Sequence, residues 1–114
     1  MILYTICASC KQATRRPCAI IGAVGEIDAL AQAAELERNG VFLFLPRPRA
    51  FTARRSSIPE VNAYRTWMTD AEGSAPGSAF DSAWGPRRQR RAEVFYQKLW
   101  MGEIDLTDTR TNRN

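Results

Sequence analysis

Three stretches of the chain are apolar without a polar face, and three others carry apolar residues at helical spacing. Residues 2–7 run from Ile2 to Cys7 with β-branched and aromatic side chains on both faces, which predicts a central strand. Residues 41–45, Val41 to Leu45, are apolar throughout and predict a second buried strand, ended by Pro46, which has no amide proton for a ladder. Residues 18–24 hold Ile20 and Ile21 beside Gly22 and Gly25, and fit either a strand near 19–24 or the start of a longer helix.

The clearest helical spacing lies at 26–39, where Ile27, Leu30, Ala31 and Ala34 recur on one face. Glu26 and Asp28 suit the positive end of its macrodipole, Arg38 suits the negative end, and Gly40 is placed for a left-handed stop. A second helix is predicted at 58–69. Ser57 and Glu60 fit a capping box before it, and Val61, Tyr64 and Met68 form its apolar face with Trp67 beside them. A third is predicted at 87–101, with Pro86 at its first turn, Ala92, Phe95, Tyr96 and Leu99 as the buried stripe, and Gly102 at its end. Residues 11–17 read as a polar connector and residues 47–56 as a basic loop. Residues 71–86, rich in Gly, Ser, Ala and Pro, read as a long loop partly docked by Phe80 and Trp84.

Strands separated by a helix call for a small sheet with at least one crossover, covered by the later helices. The expected class is α+β, or a small α/β fold, in a single domain over 1–102. Residues 103–114 form a polar tail. The length of 114 residues, with 45% hydrophobic and 25% charged residues, is ordinary for one domain. No apolar run approaches the ~18 residues of a membrane span, and the N-terminus carries no basic region or cleavage site, so a cytoplasmic location is expected.

Charge narrows the picture. The net charge is +4, and of 16 basic residues only Lys11 and Lys98 are lysine. Two readings of that preference compete: a GC-rich coding bias, which takes the larger share, and the fit of a planar guanidinium to phosphate and carboxylate. Eleven of the 16 fall in three clusters: Lys11, Arg15 and Arg16; Arg47, Arg49, Arg54 and Arg55; and Arg87, Arg88, Arg90 and Arg91. The third cluster stands at a helix start, where the macrodipole disfavours cations, and an anion held there relieves the repulsion. The second interleaves arginines with Phe51, an arrangement suited to following a phosphate backbone and stacking a base. Ion pairing within the fold explains the same arginines more simply, at roughly 0–1 kcal/mol per surface pair. No established nucleic-acid motif is present.

The chain has no histidine, which excludes Ser-His-Asp and Cys-His catalysis, and it has no glycine-rich phosphate loop. Its three cysteines fall short of the four ligands of structural zinc, so neither metal nor cofactor is expected. Cys7, Ala8, Ser9 and Cys10 form a CxxC directly after the first predicted strand. With the run from Ile2 to Lys11, this resembles the opening strand and active-site loop of thioredoxin- and glutaredoxin-like proteins. The resemblance implies Cys7 as nucleophile, Cys10 as resolving thiol, and Pro59 as the cis-proline beside them. The simpler reading makes Cys7 and Cys18 small buried apolar residues, with Cys10 incidental.

The sequence therefore describes a small binding protein rather than an enzyme. Its expected site is an arginine-rich face of Arg47, Arg49, Phe51, Arg54, Arg55, Arg87, Arg88, Arg90 and Arg91, with Trp84 as an exposed anchor. The expected partner is nucleic acid, in a style that suits an accessory protein of a phage or mobile element. An acidic protein surface is the alternative partner, and a thiol oxidoreductase using Cys7 and Cys10 is the second alternative.

Overall fold

The computed structural model describes residues 2–11, 13–73 and 84–106. Its fold is α+β, with a three-stranded antiparallel sheet and three helices in the order β1 (Ile2–Cys10), β2 (Ala13–Ala23), α1 (Glu26–Arg38), β3 (Ala50–Arg55), α2 (Ile58–Gly73) and α3 (Trp84–Met101). Internal contacts divide the chain into an N-terminal unit, Met1–Ser57, and a C-terminal unit, Ile58–Asn114. Among the described residues no helix is long and apolar enough to cross a membrane.

In the N-terminal unit the strand order is β2-β1-β3. The central position of β1 follows from its composition: Tyr4, Thr5, Ile6, Cys7 and Ala8 are all buried, so both faces are covered. The fully buried Thr5 shares a hydrogen bond of 2.7 Å between its Oγ1 and Ser56 Oγ. β1 and β2 pair from Ile2 with Ala23 to Cys10 with Ala13, so residues 13–17, expected in a connector, are strand. Two bulges interrupt the pairing on β2. One is at Cys18, and the other is at Thr14 and Arg15, which together oppose Ser9. β3 pairs with the other edge of β1, and the crossover to it runs through α1.

Residues 41–45 are not the expected strand but a series of turns. Gly40, at φ +80°, closes α1: its N–H reaches Glu37 O at 3.1 Å and the Val41 N–H reaches Leu36 O at 3.0 Å, a Schellman stop. The run then folds back on itself, with Leu45 N–H on Phe42 O at 3.0 Å. Phe42 is fully buried against Phe51, with ring centroids 5.2 Å apart, whereas Leu43 is 72% exposed. The third strand is instead β3, inside the expected basic loop.

Helix α1 forms where expected but presents a different face. It buries Ala29 and Ala33, while Ile27 is 86% exposed and Ala31 and Ala34 are also exposed. Polar contacts set that rotation. Asp28 Oδ2 accepts from the Val24 N–H at 3.1 Å, and Gln32 Nε2 donates to Gly22 O at 3.0 Å, tying this side of the helix to the end of β2.

In the C-terminal unit α2 packs on α3. Ala92, Phe95, Tyr96 and Leu99 are buried as the spacing predicts, with Met68 and Trp100. The Phe95 ring meets Tyr64 at 5.7 Å and Trp67 at 5.9 Å. α3 ends at Gly102, φ +77°, in a second Schellman stop in which the Glu103 N–H reaches Lys98 O at 2.9 Å. α2 extends to Gly73 and α3 begins at Trp84, so both ends of the expected 71–86 loop are helical and Trp84 is not a loop residue. The middle of that loop with Phe80, the tail beyond residue 106, and the side chains of Trp84 and Arg87 lie outside the described residues.

Candidate anion-binding surface

The formal charge is divided unevenly between the two units. The N-terminal unit carries eight basic and four acidic residues, and the C-terminal unit eight of each, so the whole excess of +4 belongs to the first. Within it the segregation is sharper. Glu26, Asp28, Glu35 and Glu37 all lie on α1, while the strands and their connections hold Lys11, Arg15, Arg16, Arg47, Arg49, Arg54 and Arg55 with no carboxylate.

Those seven cations are not equivalent. Arg49 is turned inward: its Nε–H donates to Glu37 Oε2 at 2.8 Å and its Nη1 to Leu45 O at 3.2 Å. Its charge is paired inside the fold, apart from the surface expected of the cluster. Phe51 is half-buried on Phe42 rather than carried on a loop. Lys11, Arg15, Arg16, Arg47, Arg54 and Arg55 are exposed.

Register decides which of these meet. On β3, Arg54 stands opposite Thr5 and Arg55 opposite Tyr4, so they point to opposite sides of the sheet. Ala8 of β1 has Arg16 as its neighbour on β2 and Phe51 as its neighbour on β3. With strands about 4.8 Å apart, that row spans about 10 Å. Arginines therefore flank β1 on both sides. Arg15 and Arg16, visible in the sequence only as a separate cluster, enter the surface because β2 folds back along β1.

Arg15 has an unusual backbone. Its φ is +52°, in the left-handed region that a side chain with a Cβ rarely adopts, and its N–H donates to Ser9 Oγ at 2.9 Å. It is the last residue of the second bulge, a device that re-aims a side chain relative to the pleat.

The C-terminal unit places its arginines differently. Arg91 lies over the Trp67 ring, its Cζ 4.3 Å from the centroid. Trp67 Nε1 donates to Arg91 O at 3.0 Å, and Arg91 Nε to Trp67 O at 3.4 Å. That arginine clasps α2 to α3. Arg90 is exposed, Arg88 half-buried, and Arg87 stands in the opening turns of α3.

The CxxC lies within a strand, not in the loop that the resemblance implies, and its cysteines are free. β1 continues as strand through Cys10, and no helix follows the CxxC. Three residues of extended chain put the Cα atoms of Cys7 and Cys10 about 10 Å apart, beyond the ~7 Å a disulfide spans. Cys7 and Cys18 are buried; burial, with Cys7 nearby, pushes the Cys18 thiol pKa far up, against a smaller opposing pull from Arg49. Pro59 lies in the first turn of α2, and the cis peptide bond among the described residues is Arg47–Pro48. Comparison with known proteins gives no likeness to set beside this geometry: no family model, curated protein or solved structure matches the chain.

Proposed function

We propose that this chain is a non-enzymatic binding protein that holds nucleic acid on the arginine-bearing sheet of its N-terminal unit. The observation that supports this reading is the segregation of charge, with every carboxylate of the unit on α1 and none on the strands or turns. A surface of that kind attracts a polyanion and gains entropy by releasing its condensed counterions. Arginine adds planar, bidentate contacts to phosphate oxygens. Phe51, in the same row of the sheet as Arg16, supplies an aromatic surface for a base.

Fluorescence anisotropy with random-sequence single- and double-stranded DNA and RNA tests the reading. Binding at 50 mM salt that weakens steeply by 200 mM is the expected result. No binding to any of the four at low salt overturns it and turns the search to an acidic protein partner.

A further inference from the structure

We propose that a cleft in the N-terminal unit seats a single nucleoside phosphate, an inference that rests on the nucleic-acid reading above and gives it a location. The cleft has a volume of about 450 Å³ and takes Arg15 from β2, Glu26 and Leu30 from α1, and Phe51, Thr52 and Arg54 from β3. That volume is within the ~300–1,000 Å³ of small-ligand sites.

The lining divides into the parts such a ligand needs. Arg15 and Arg54 approach from the two edge strands, with β1 between them, and their guanidinium groups supply paired donors to phosphate oxygens. Leu30 supplies apolar surface for a base, while the Phe51 side chain, opposite Ala8 in register, lies on the other side of the sheet from Thr52 and Arg54. Thr52 brings a hydroxyl.

Glu26 sets the selectivity. An ionised carboxylate only accepts hydrogen bonds. It therefore favours bases that carry an exocyclic amino group, namely guanine, adenine and cytosine, over uracil. A carboxylate would weaken a site for phosphate alone, so its place beside two arginines fits a ligand with a donor edge as well as an anionic group.

The backbone of Arg15 is the independent sign. A non-glycine residue held at φ +52° persists only where its surroundings over-determine it, and such positions cluster at ligand clamps. The bulge that imposes this conformation also aims Arg15 into the cleft.

Such a ligand is either a free nucleotide or one nucleotide of a single strand, and two arms of one experiment separate these. Amide chemical shifts of the full chain are followed on adding GMP, UMP, guanosine or inorganic phosphate, and then G-containing and all-U hexanucleotides. GMP is expected to shift the signals of Arg15, Leu30, Thr52 and Arg54, with UMP weaker by about tenfold. Arg15→Gln and Arg54→Gln, checked for native signal dispersion, should each raise the GMP Kd about tenfold. Displacement of GMP by the G-containing hexamer assigns the cleft to a strand; GMP binding without displacement assigns it to a free nucleotide. If inorganic phosphate alone reproduces the GMP shifts, or UMP matches GMP, the proposal fails. If GMP leaves the cleft signals unchanged while hexamers shift other sheet signals, the cleft falls while the nucleic-acid reading stands. If neither nucleotides nor hexamers bind, both fall.

Discussion

The Arg49 side chain is 4% exposed and donates its Nε–H to Glu37 at 2.8 Å, so an arginine from the most basic segment of the chain serves the fold. Glu37 is 38% exposed, so the two partners differ in what their loss leaves behind. Glu37→Ala strands a buried guanidinium, whereas Arg49→Ala leaves a carboxylate that water still reaches. Glu37→Ala should lower unfolding stability by about 2 kcal/mol, and Arg49→Ala by less. Urea denaturation with the m-value held constant reads both. Arg49→Ala should also leave the salt dependence of nucleic-acid binding unchanged, because that charge is already paired.

Arg15 predicts opposite effects on stability and binding. Replacing it with glycine removes the left-handed strain at φ +52° and should raise stability by about 1 kcal/mol. The same change should weaken nucleic-acid binding by removing one phosphate contact. Denaturation and anisotropy on one protein sample measure both. A substitution that weakens binding and also destabilises the fold would mean that Arg15 has a structural role instead.

How much of this was legible in the sequence depended on whether a signal was local. β1 could be read from its own residues, because a strand buried on both faces is apolar throughout. The stripe of α3 could be read because Ala92, Phe95, Tyr96 and Leu99 repeat at helical spacing. Residues 41–45 misled because an apolar run states that a segment is buried, not that it is extended. Here Phe42 and Leu45 plug the core from turns while Leu43 faces out. β3 was hidden for the converse reason: as an edge strand it is only half-buried at Phe51 and Ala53, and its arginines read as loop. The alternation of Phe51, Thr52, Ala53 and Arg54 was the available signal. For the site, the exposed arginines were legible as clusters. Their partition was not, because the Arg49–Glu37 pair, the Arg91–Trp67 stack and the approach of Arg15 to Arg54 all depend on tertiary register.

Arg91 and Arg90 are neighbours in sequence with different roles. Arg91→Ala should cost about 1 kcal/mol, from loss of the stack on Trp67 at 4.3 Å, and should change the near-ultraviolet circular dichroism of that indole. Arg90→Ala, at an exposed position, should stay within about 0.5 kcal/mol of the parent.

Cys18 predicts a loss of stability at alkaline pH. Its thiol pKa is raised by burial, so the folded protein keeps the proton while the unfolded chain releases it above the ordinary value of 9.0. Below that pH both states are protonated and stability is unaffected. Above it, stability should fall by about 1.4 kcal/mol per pH unit, and Cys18→Ala should remove that slope. Thiol labelling of the folded protein should reach half-buried Cys10 first, with Cys7 and Cys18 reacting only on unfolding.

The most direct test compares two sets of substitutions in the salt dependence of nucleic-acid affinity. One set replaces Arg15, Arg16, Arg54 and Arg55 with glutamine on the sheet; the other replaces Arg87, Arg88 and Arg90 on α3. If the sheet is the interface, the first set should reduce the slope of log K against log salt by about three units and abolish binding at physiological salt. The second set should leave most of the affinity intact. Loss of binding with the α3 set, and its retention with the sheet set, would contradict the account.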